Sequence, residues 1–242
     1  MKRGLKRFLI FILVGFGVLY LSKSDILFTK GLIYNENKSD LNKSDKLSNG
    51  NNININNDVD LNDYLLLVNK DHGLSKNYKP KNLTIPDIPF TDLVSNEEKH
   101  VAGIIAKPLE NLINEAKDEG IMLMGNSGYR SYKSQKNTFN DRVKSQGIKN
   151  AEAYVAKPGF SEHQTGLCID ITNEENFLIQ GTREGDWLAE NCYRFGFIIR
   201  YPLGKEDITG IEYEPWHIRY VGEEAAKYIY ENGITLEEYL GK

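Results

Sequence analysis

The chain has 242 residues, of which 40% are hydrophobic and 26% are charged, and its formal net charge is −4. This composition is typical of a globular protein, and basic residues do not alternate with aromatic residues in any patch, which argues against nucleic acid as a partner. Cysteine usage is thin, and we expect Cys168 and Cys192 to be buried singly rather than joined in a disulfide.

The N-terminus predicts a membrane anchor. Residues 1–7 form a basic tail, which favours the cytoplasmic side, and an apolar run follows at 8–22. The run is shorter than the roughly 20 residues of a comfortable span, so a cleaved signal peptide is the alternative. Because no Ala-x-Ala-like cleavage site follows, we favour an uncleaved single-pass anchor in the cell membrane, with the rest of the chain extracellular. Secretion after cleavage stays open.

Residues 23–62 predict a disordered linker. The stretch from Asn35 to Asn62 is dominated by Asn, Lys, Ser and Asp and has few large apolar side chains. Such a segment cannot bury enough surface to offset its ordering entropy. We interpret it as a flexible tether, with a spacer of no special reach as the alternative.

Residues 63–242 have the size of one domain with a single core. The first predicted elements are helices at 97–106 and 109–119, which Pro108 should kink or split, a strand at 121–124 and a polar helix at 131–146. A strand at 167–171 follows, and then a helix at 187–195 that Asp186 caps and Gly196 ends. The last predicted elements are strands at 197–200 and 216–221 and a helix at 223–232 that ends at Gly233. Because helices do not alternate strictly with strands, we predict an α+β fold with a central antiparallel sheet flanked by helices.

The segment Ser161-Glu-His163-Gln-Thr-Gly166-Leu-Cys-Ile-Asp170 carries the first chemical groups. A straight strand would separate His163 from Asp170 by more than about 20 Å, so the chain must turn between them. Gly166 is the natural place, because glycine tolerates positive φ. The strand that follows should present Cys168 and Asp170 on one face and apolar residues on the other.

The segment Glu214-Pro-Trp-His217 complements it. Pro215 favours the start or edge of a strand, and that strand carries His217. Glu214 should lie just before the strand in an irregular turn, where it could lean over a metal held by His217 without coordinating it. That position suits a general base.

The residue types in these two segments indicate a hydrolytic zinc site. The chain holds only four histidines, and His163 and His217 lie beside acids in short apolar-flanked segments, whereas His72 and His100 look like surface residues. A single histidine of this kind is more often a core residue than a ligand. With Asp170 the two histidines supply the three protein ligands of a catalytic zinc, whose fourth position stays open for water.

The pattern Ser-x-His-x-x-Gly-x-x-x-Asp followed by Glu-x-x-His resembles that of the VanY-type zinc D-alanyl-D-alanine carboxypeptidases. These are relatives of the VanX dipeptidases within the Hedgehog/DD-peptidase fold. The resemblance runs from about residue 63 to the C-terminus, and its accompanying motifs are Leu67-Val-Asn-Lys70, Gly128-Tyr-Arg130-Ser131 with Gln135, and Phe197-Ile-Ile-Arg-Tyr201-Pro.

The resemblance implies one Zn²⁺ per chain, with His163, Asp170 and His217 as ligands, Glu214 as catalytic base and Arg130 binding a substrate carbonyl or carboxylate. It further implies that peptidoglycan stem peptides or their precursors are the partners, and we expect a monomer. The predicted substrate contacts, besides Arg130, are Ser131, Gln135, Ser161 and Trp216. Ser161 could instead cap a turn, and Trp216 could be a core residue or a pocket wall.

The resemblance implies removal of the C-terminal D-alanine from stem peptides. An L,D-carboxypeptidase acting on tetrapeptide stems, a wall endopeptidase and a non-catalytic wall-binding module with a structural zinc are the alternatives. Cys168 departs from the family, because such proteins commonly carry a small residue such as alanine there.

Overall fold

The structure, a computed structural model, describes residues 64–178 and 180–242. Its strands are β1 (Leu83–Thr84), β2 (Val101–Ala102), β3 (Met124–Ser127), β4 (Cys168–Thr172), β5 (Phe197–Tyr201) and β6 (Glu214–Tyr220). Strands β1 and β2 form a small antiparallel pair, and the other four form an antiparallel sheet in the order β3-β4-β6-β5. The predicted α+β class with a central antiparallel sheet is confirmed.

The described helices are α1 (Gly103–Asp118), α2 (Tyr132–Gln146), α3 (Ile148–Tyr154), α4 (Arg183–Asn191), α5 (Glu206–Thr209), α6 (Glu223–Asn232) and α7 (Leu236–Leu240), with 3-10 helices at Glu162–Thr165 and Cys192–Phe195. Among these residues, no helix combines the length and apolarity that crossing a bilayer requires. The predicted anchor at 8–22 and linker at 23–62 lie outside the described residues.

The predicted helical start at residue 97 and the predicted split at Pro108 were wrong. Residues 97–100 are not helical, and Val101–Ala102 pairs with Leu83–Thr84 as β2. Pro108 lies inside the single helix α1, which continues past it. The proline forgoes one backbone hydrogen bond. Burial of one face of α1 in the core offsets that loss, and its buried residues are Ile105, Leu109, Leu112, Ile113 and Ala116.

The other predicted elements agree with the structure in type, and some differ in their bounds. The helices at 131–146 and 223–232 and the strand at 197–200 are confirmed. The strand predicted at 121–124 lies at Met124–Ser127. Helix α4 begins at Arg183, because the Thr182 side chain accepts a hydrogen bond from Gly185 N, so Asp186 lies in the first turn instead of capping it.

The central sheet has one apolar and one polar face. One hydrophobic cluster joins the apolar face of the sheet to the buried face of α1, and its strand residues are Ile169 and Ile171 of β4, Phe197 of β5 and Ile218 of β6. Side chains alternate along a strand, so the intervening residues of β4 and β6 point the other way. The face away from α1 therefore carries the charged and metal-binding residue types.

Buried charges hold the polar face together. Arg200 and Arg219 are both 0% exposed and share the Glu162 carboxylate, with Arg200 Nε and Arg219 Nη1 donating to Oε1 at 2.7 and 2.5 Å. Arg200 also donates to both oxygens of Glu237 in α7, at 2.9 and 2.6 Å. Each buried charge has an oppositely charged partner, which avoids the high cost of an isolated buried ion.

Candidate active site

The three predicted ligands converge on the polar face of the sheet. In the antiparallel pairing of β4 with β6, Asp170 lies directly opposite His217. His163 arrives from the 3-10 helix that ends at Gly166, whose φ of +67° makes the predicted turn. A Cβ at Gly166 would lie 2.9 Å from the Ala102 nitrogen, so this turn also requires glycine for space.

Hydrogen bonds determine which imidazole nitrogen of each histidine faces the site. His163 Nδ1 donates to the Gly128 carbonyl oxygen at 2.7 Å, which leaves Nε2 as the free nitrogen, 3.5 Å from Asp170 Oδ2. His217 Nε2 lies 3.3 Å from Glu162 Oε2, and its Nδ1 lies 3.1 Å from Asp170 Oδ1. Each histidine therefore turns one nitrogen toward the Asp170 carboxylate.

These distances fit a zinc ion. Two ligand atoms that are each about 2.1 Å from a tetrahedral zinc lie about 3.4 Å from each other. His163 Nε2 lies 3.5 Å from Asp170 Oδ2 and His217 Nδ1 lies 3.1 Å from Asp170 Oδ1, and both distances are close to that value. Asp170 Oδ1 is buried and accepts no well-aligned hydrogen bond from the described residues. Such an oxygen is available to a cation.

Cys168 offers an alternative third ligand, because its sulfur and one nitrogen of each of His163 and His217 lie within 4.8 Å of one another. Cys168 is 0% exposed and does not line the cavity at this site, whereas Asp170 does. Asp170 is therefore the member of this pair that adjoins the space open to a substrate. Cys168 and Cys192 are both buried and free, as expected from the sequence.

The electrostatics of the site keep one imidazole neutral and the aspartate charged. Burial and the Arg130 guanidinium lower the pKa of His163 to about 3. Burial opposes ionisation of Asp170, but His163, His217 and Arg130 hold the pKa of its carboxyl below the ordinary value. A neutral imidazole and an ionised carboxylate are the forms that bind zinc.

Glu214 reaches the site through an irregularity in β6. In the pairing of β5 with β6, Ile199 lies opposite Ile218 and Tyr201 lies opposite Glu214. The segment of β6 between these two pairs is therefore two residues longer than the segment of β5. Glu214 therefore lies within the strand, not in the turn before it as predicted. Its carboxylate comes within 3.8 Å of His217 Nδ1. Burial raises the pKa of Glu214 to about 8, which suits a group that both takes up and releases a proton.

A cavity of about 440 Å³ opens onto these groups. Arg130 lines it, and the buried Arg130 Nε has no hydrogen-bond partner among the described residues. Gln135 Nε2 donates to the Ala156 carbonyl at 2.7 Å, while the buried Gln135 Oε1 accepts no hydrogen bond from the part of the chain described. Arg130 and Gln135, which both line the cavity, thus each have one polar atom without a partner among the described residues.

The structure brings eight of the nine predicted site residues to the cavity and places Ser131 outside its lining. The Ser131 hydroxyl accepts from Ser134 N and caps α2. Ser161 makes no side-chain capping bond to its 3-10 helix, so a turn-capping role is not supported. Trp216 is half-buried, packs against the core and also lines the cavity, so it is both a core contact and part of the pocket wall.

Sequence reasoning missed two residues that contact His217. The Tyr201 ring centroid lies 5.0 Å from that of His217, and Tyr201 lines the cavity. Glu162 contacts His217 from behind, within the buried charge cluster. A signal for Glu162 exists in Arg200 and Arg219, because arginines buried within two strands of the sheet require an anion beside them.

The family model described as VanY, D-alanyl-D-alanine carboxypeptidase, matches residues 98–223. A D-alanyl-D-alanine carboxypeptidase of Enterococcus faecalis is 40% identical over 185 residues, which are 73% of this chain and 65% of the relative. The chain thus spans slightly less than two thirds of that relative's length.

Two solved structures are similar in sequence and in fold. The LdcB LD-carboxypeptidase is 47% identical, with a TM-score of 0.68 over 73% of this chain and 85% of the neighbour. A mutant of the D,D-pentapeptidase VanY from a VanB-type resistance cassette, in complex with Zn(II), is 38% identical, with a TM-score of 0.63 over 74% of this chain and 99% of the neighbour.

Proposed function

Because the chain belongs to the VanY family of D-alanyl-D-alanine carboxypeptidases, we propose that it is a zinc-dependent carboxypeptidase that removes the C-terminal D-alanine from peptidoglycan stem peptides. One observation carries the proposal: free nitrogens of His163 and His217 face the Asp170 carboxylate in a cavity that Glu214 and Arg130 also line. The similar VanY structure contains Zn(II), which supports the choice of metal.

In this proposal His163, Asp170 and His217 hold the zinc. When bound, zinc polarises a carbonyl and lowers the pKa of a water molecule to roughly 7. Glu214 accepts a proton from the attacking water and then donates it to the departing amine of D-alanine. The raised pKa of Glu214 favours the second step, and its distance of 3.8 Å from His217 keeps it beside the reaction.

Arg130 and Gln135 orient the substrate. The Arg130 guanidinium has an unpaired buried Nε that can donate to the terminal carboxylate or the scissile carbonyl, and Gln135 Oε1 can accept from a peptide N–H. Ser161 and Trp216 complete the wall of the same cavity. Ser131 is not included, because it caps α2 outside the lining.

A second candidate is an L,D-carboxypeptidase acting on tetrapeptide stems. The LdcB LD-carboxypeptidase is 47% identical to this chain, which favours this candidate. The D,D and L,D reactions need the same metal ligands and the same base, so the shape of the cavity decides between them. Peptide binding alone does not separate the two.

Product masses from defined stems test the proposal. We expect the purified chain with zinc to release D-alanine from a pentapeptide stem and to leave the tetrapeptide intact. Cleavage of the tetrapeptide alone would establish the L,D reaction, and cleavage of neither would refute both. A pentapeptide with an amidated C-terminus is the control substrate. Equal cleavage of the free-acid and the amidated pentapeptides would indicate an endopeptidase.

We propose further that residues 8–22 anchor a monomer in the cell membrane with its cavity on the outside. The basic residues before the apolar run support that orientation. Fractionation of cells that express the full chain tests the anchor: recovery in the culture medium would indicate cleavage instead.

A further inference from the structure

Glu162 is the buried neighbour of a proposed zinc ligand. Its side chain is 0% exposed, and its two oxygens have different partners. Oε1 accepts from Arg200 Nε at 2.7 Å and from Arg219 Nη1 at 2.5 Å, whereas Oε2 lies 3.3 Å from His217 Nε2. Glu162 does not line the cavity, so it acts on a substrate only through another residue.

The carboxylate sets the tautomer of His217. A carboxylate bonded to two guanidinium groups is ionised and can only accept hydrogen bonds, so His217 Nε2 must carry the proton. When the ring is neutral, as zinc ligation requires, its lone pair is therefore on Nδ1, the nitrogen that lies 3.1 Å from Asp170 Oδ1. Cys168 also faces this ring, but a thiol both donates and accepts and therefore does not select a tautomer.

The two arginines fix where the carboxylate points. Arg219 is itself held by the carbonyl oxygens of Tyr64 and Leu66, at 2.9 and 2.7 Å. Arg200 is held by Glu237 on its other side. Because these partners come from two separate parts of the domain, Glu162 Oε2 has little freedom to turn away from His217.

We propose that Glu162 is a positioning residue that holds His217 with Nδ1 free to ligate zinc. The inference rests on the proposed zinc site and assigns the buried charge cluster a part in metal affinity as well as in stability. Partners that orient metal-bound histidines typically contribute about 10- to 100-fold to metal affinity.

Glu162→Gln tests the inference with a side chain of nearly the same shape. Both arginines donate to one oxygen, so the amide oxygen of glutamine takes that place and its NH₂ group faces His217 Nε2. A donor there requires Nε2 to be the acceptor and moves the proton to Nδ1. We expect zinc affinity, measured by competition with a chelator, to fall by about 10- to 100-fold.

Glu237→Gln is the matched control. It removes the same charge from the other side of Arg200, where the carboxylate also accepts from Asn69 Nδ2 at 3.0 Å, and no contact of Glu237 with a proposed ligand is found among the described residues. We expect it to lower the melting temperature of the metal-free protein and to reduce zinc affinity far less than Glu162→Gln does, because Glu162 keeps its charge and both of its arginines. Equal losses of affinity in both variants, or wild-type affinity in folded Glu162→Gln, would overturn the inference.

Nitrogen NMR of His217 in the wild-type, zinc-loaded protein gives a reading that does not depend on a variant folding. We expect a proton on Nε2 and none on Nδ1, and the reverse would overturn the inference. His217→Ala separates this outcome from failure of the zinc site. If that variant binds zinc as tightly as the wild type, the proposed site is wrong irrespective of Glu162.

Discussion

Glu214 shows how the surroundings of one residue assign it a task. The carboxylate is 8% exposed, and burial raises its pKa to about 8 although His217 acts in the opposite direction. An ordinary surface glutamate has a pKa of about 4.3, so at neutral pH it would lose a transferred proton to water before it could donate it to the leaving amine. Two residues earlier, Glu212 is exposed and lies outside the cavity lining, so burial distinguishes the two glutamates.

Glu214→Gln should therefore lower kcat by at least about 100-fold, because general acid–base catalysis typically contributes that much or more. Zinc affinity should stay near the wild-type value, since the proposed ligands are unchanged. Steady-state kinetics on the pentapeptide stem, together with zinc titration, measures both quantities. Glu212→Gln is the control and should behave as the wild type. Full turnover by Glu214→Gln would exclude Glu214 as the base.

At the scale of elements, strand register assembles the site. The pairing of β4 with β6 places Asp170 opposite His217, and a slip of one residue would move one of them to the apolar face. The apolar cluster against α1 makes such a slip costly, because it would expose Ile169 or Ile218 on the polar side. Core packing on one face thus determines the ligand geometry on the other.

The turn at Gly166 is the second feature that assembles the site, because it links His163 to β4. Alanine there would combine a left-handed φ of +67° with a Cβ only 2.9 Å from the Ala102 backbone. We expect Gly166→Ala to lower the free energy of unfolding by at least about 2 kcal/mol and to weaken zinc binding by displacing His163.

Gly181→Ala provides the comparison for that prediction. Gly181 has a similar positive φ of +85°, but a Cβ there would meet nothing within 4 Å. It should cost only about 1 kcal/mol in chemical denaturation and leave zinc affinity unchanged. Equal destabilisation by the two substitutions would mean that conformational strain alone matters at Gly166.

For the molecule as a whole, zinc should act as a cross-link between segments that are distant in sequence. His163, Asp170 and His217 come from a 3-10 helix, β4 and β6. A ligand that binds only the folded state stabilises it, by about 4 kcal/mol at 1,000 times its dissociation constant. Chelation should abolish turnover and lower the melting temperature, and added zinc should restore both.

His163→Ala is the control for the zinc prediction, because it removes a ligand and leaves the buried charge cluster of Glu162 with its arginines intact. Its melting temperature should not respond to zinc or to chelator. A chelator-treated wild type with full turnover would contradict the proposed role of the metal.

The residues proposed as ligands and the class of the fold were accessible from the sequence. Coordination chemistry depends on residue type, so two histidines, an aspartate and a nearby glutamate in that spacing indicate zinc hydrolysis before any geometry is known. The antiparallel sheet and most helices followed from apolar periodicity and from turn residues such as Gly166, Gly196 and Gly233, whose effects are local.

The sequence misjudged features that depend on distant partners. Val101 was predicted to be helical but pairs with β1, and Ser131 was predicted to bind substrate but caps α2. The irregular register that brings Glu214 to His217 depends on β5, a neighbour in space rather than in sequence. Local patterns do not include these contacts, because each joins parts of the chain that meet only after folding.

The sequence by itself determined which side chains are able to hold a zinc ion and transfer a proton, because those abilities belong to the residues. Only the tertiary structure decided which nitrogen of His163 and His217 is free, that Asp170 rather than Cys168 faces the cavity, and that Glu162 stands behind His217. The physical reason is that hydrogen-bond direction and solvent access arise from contacts such as that of His163 with Gly128, 35 residues away in the chain.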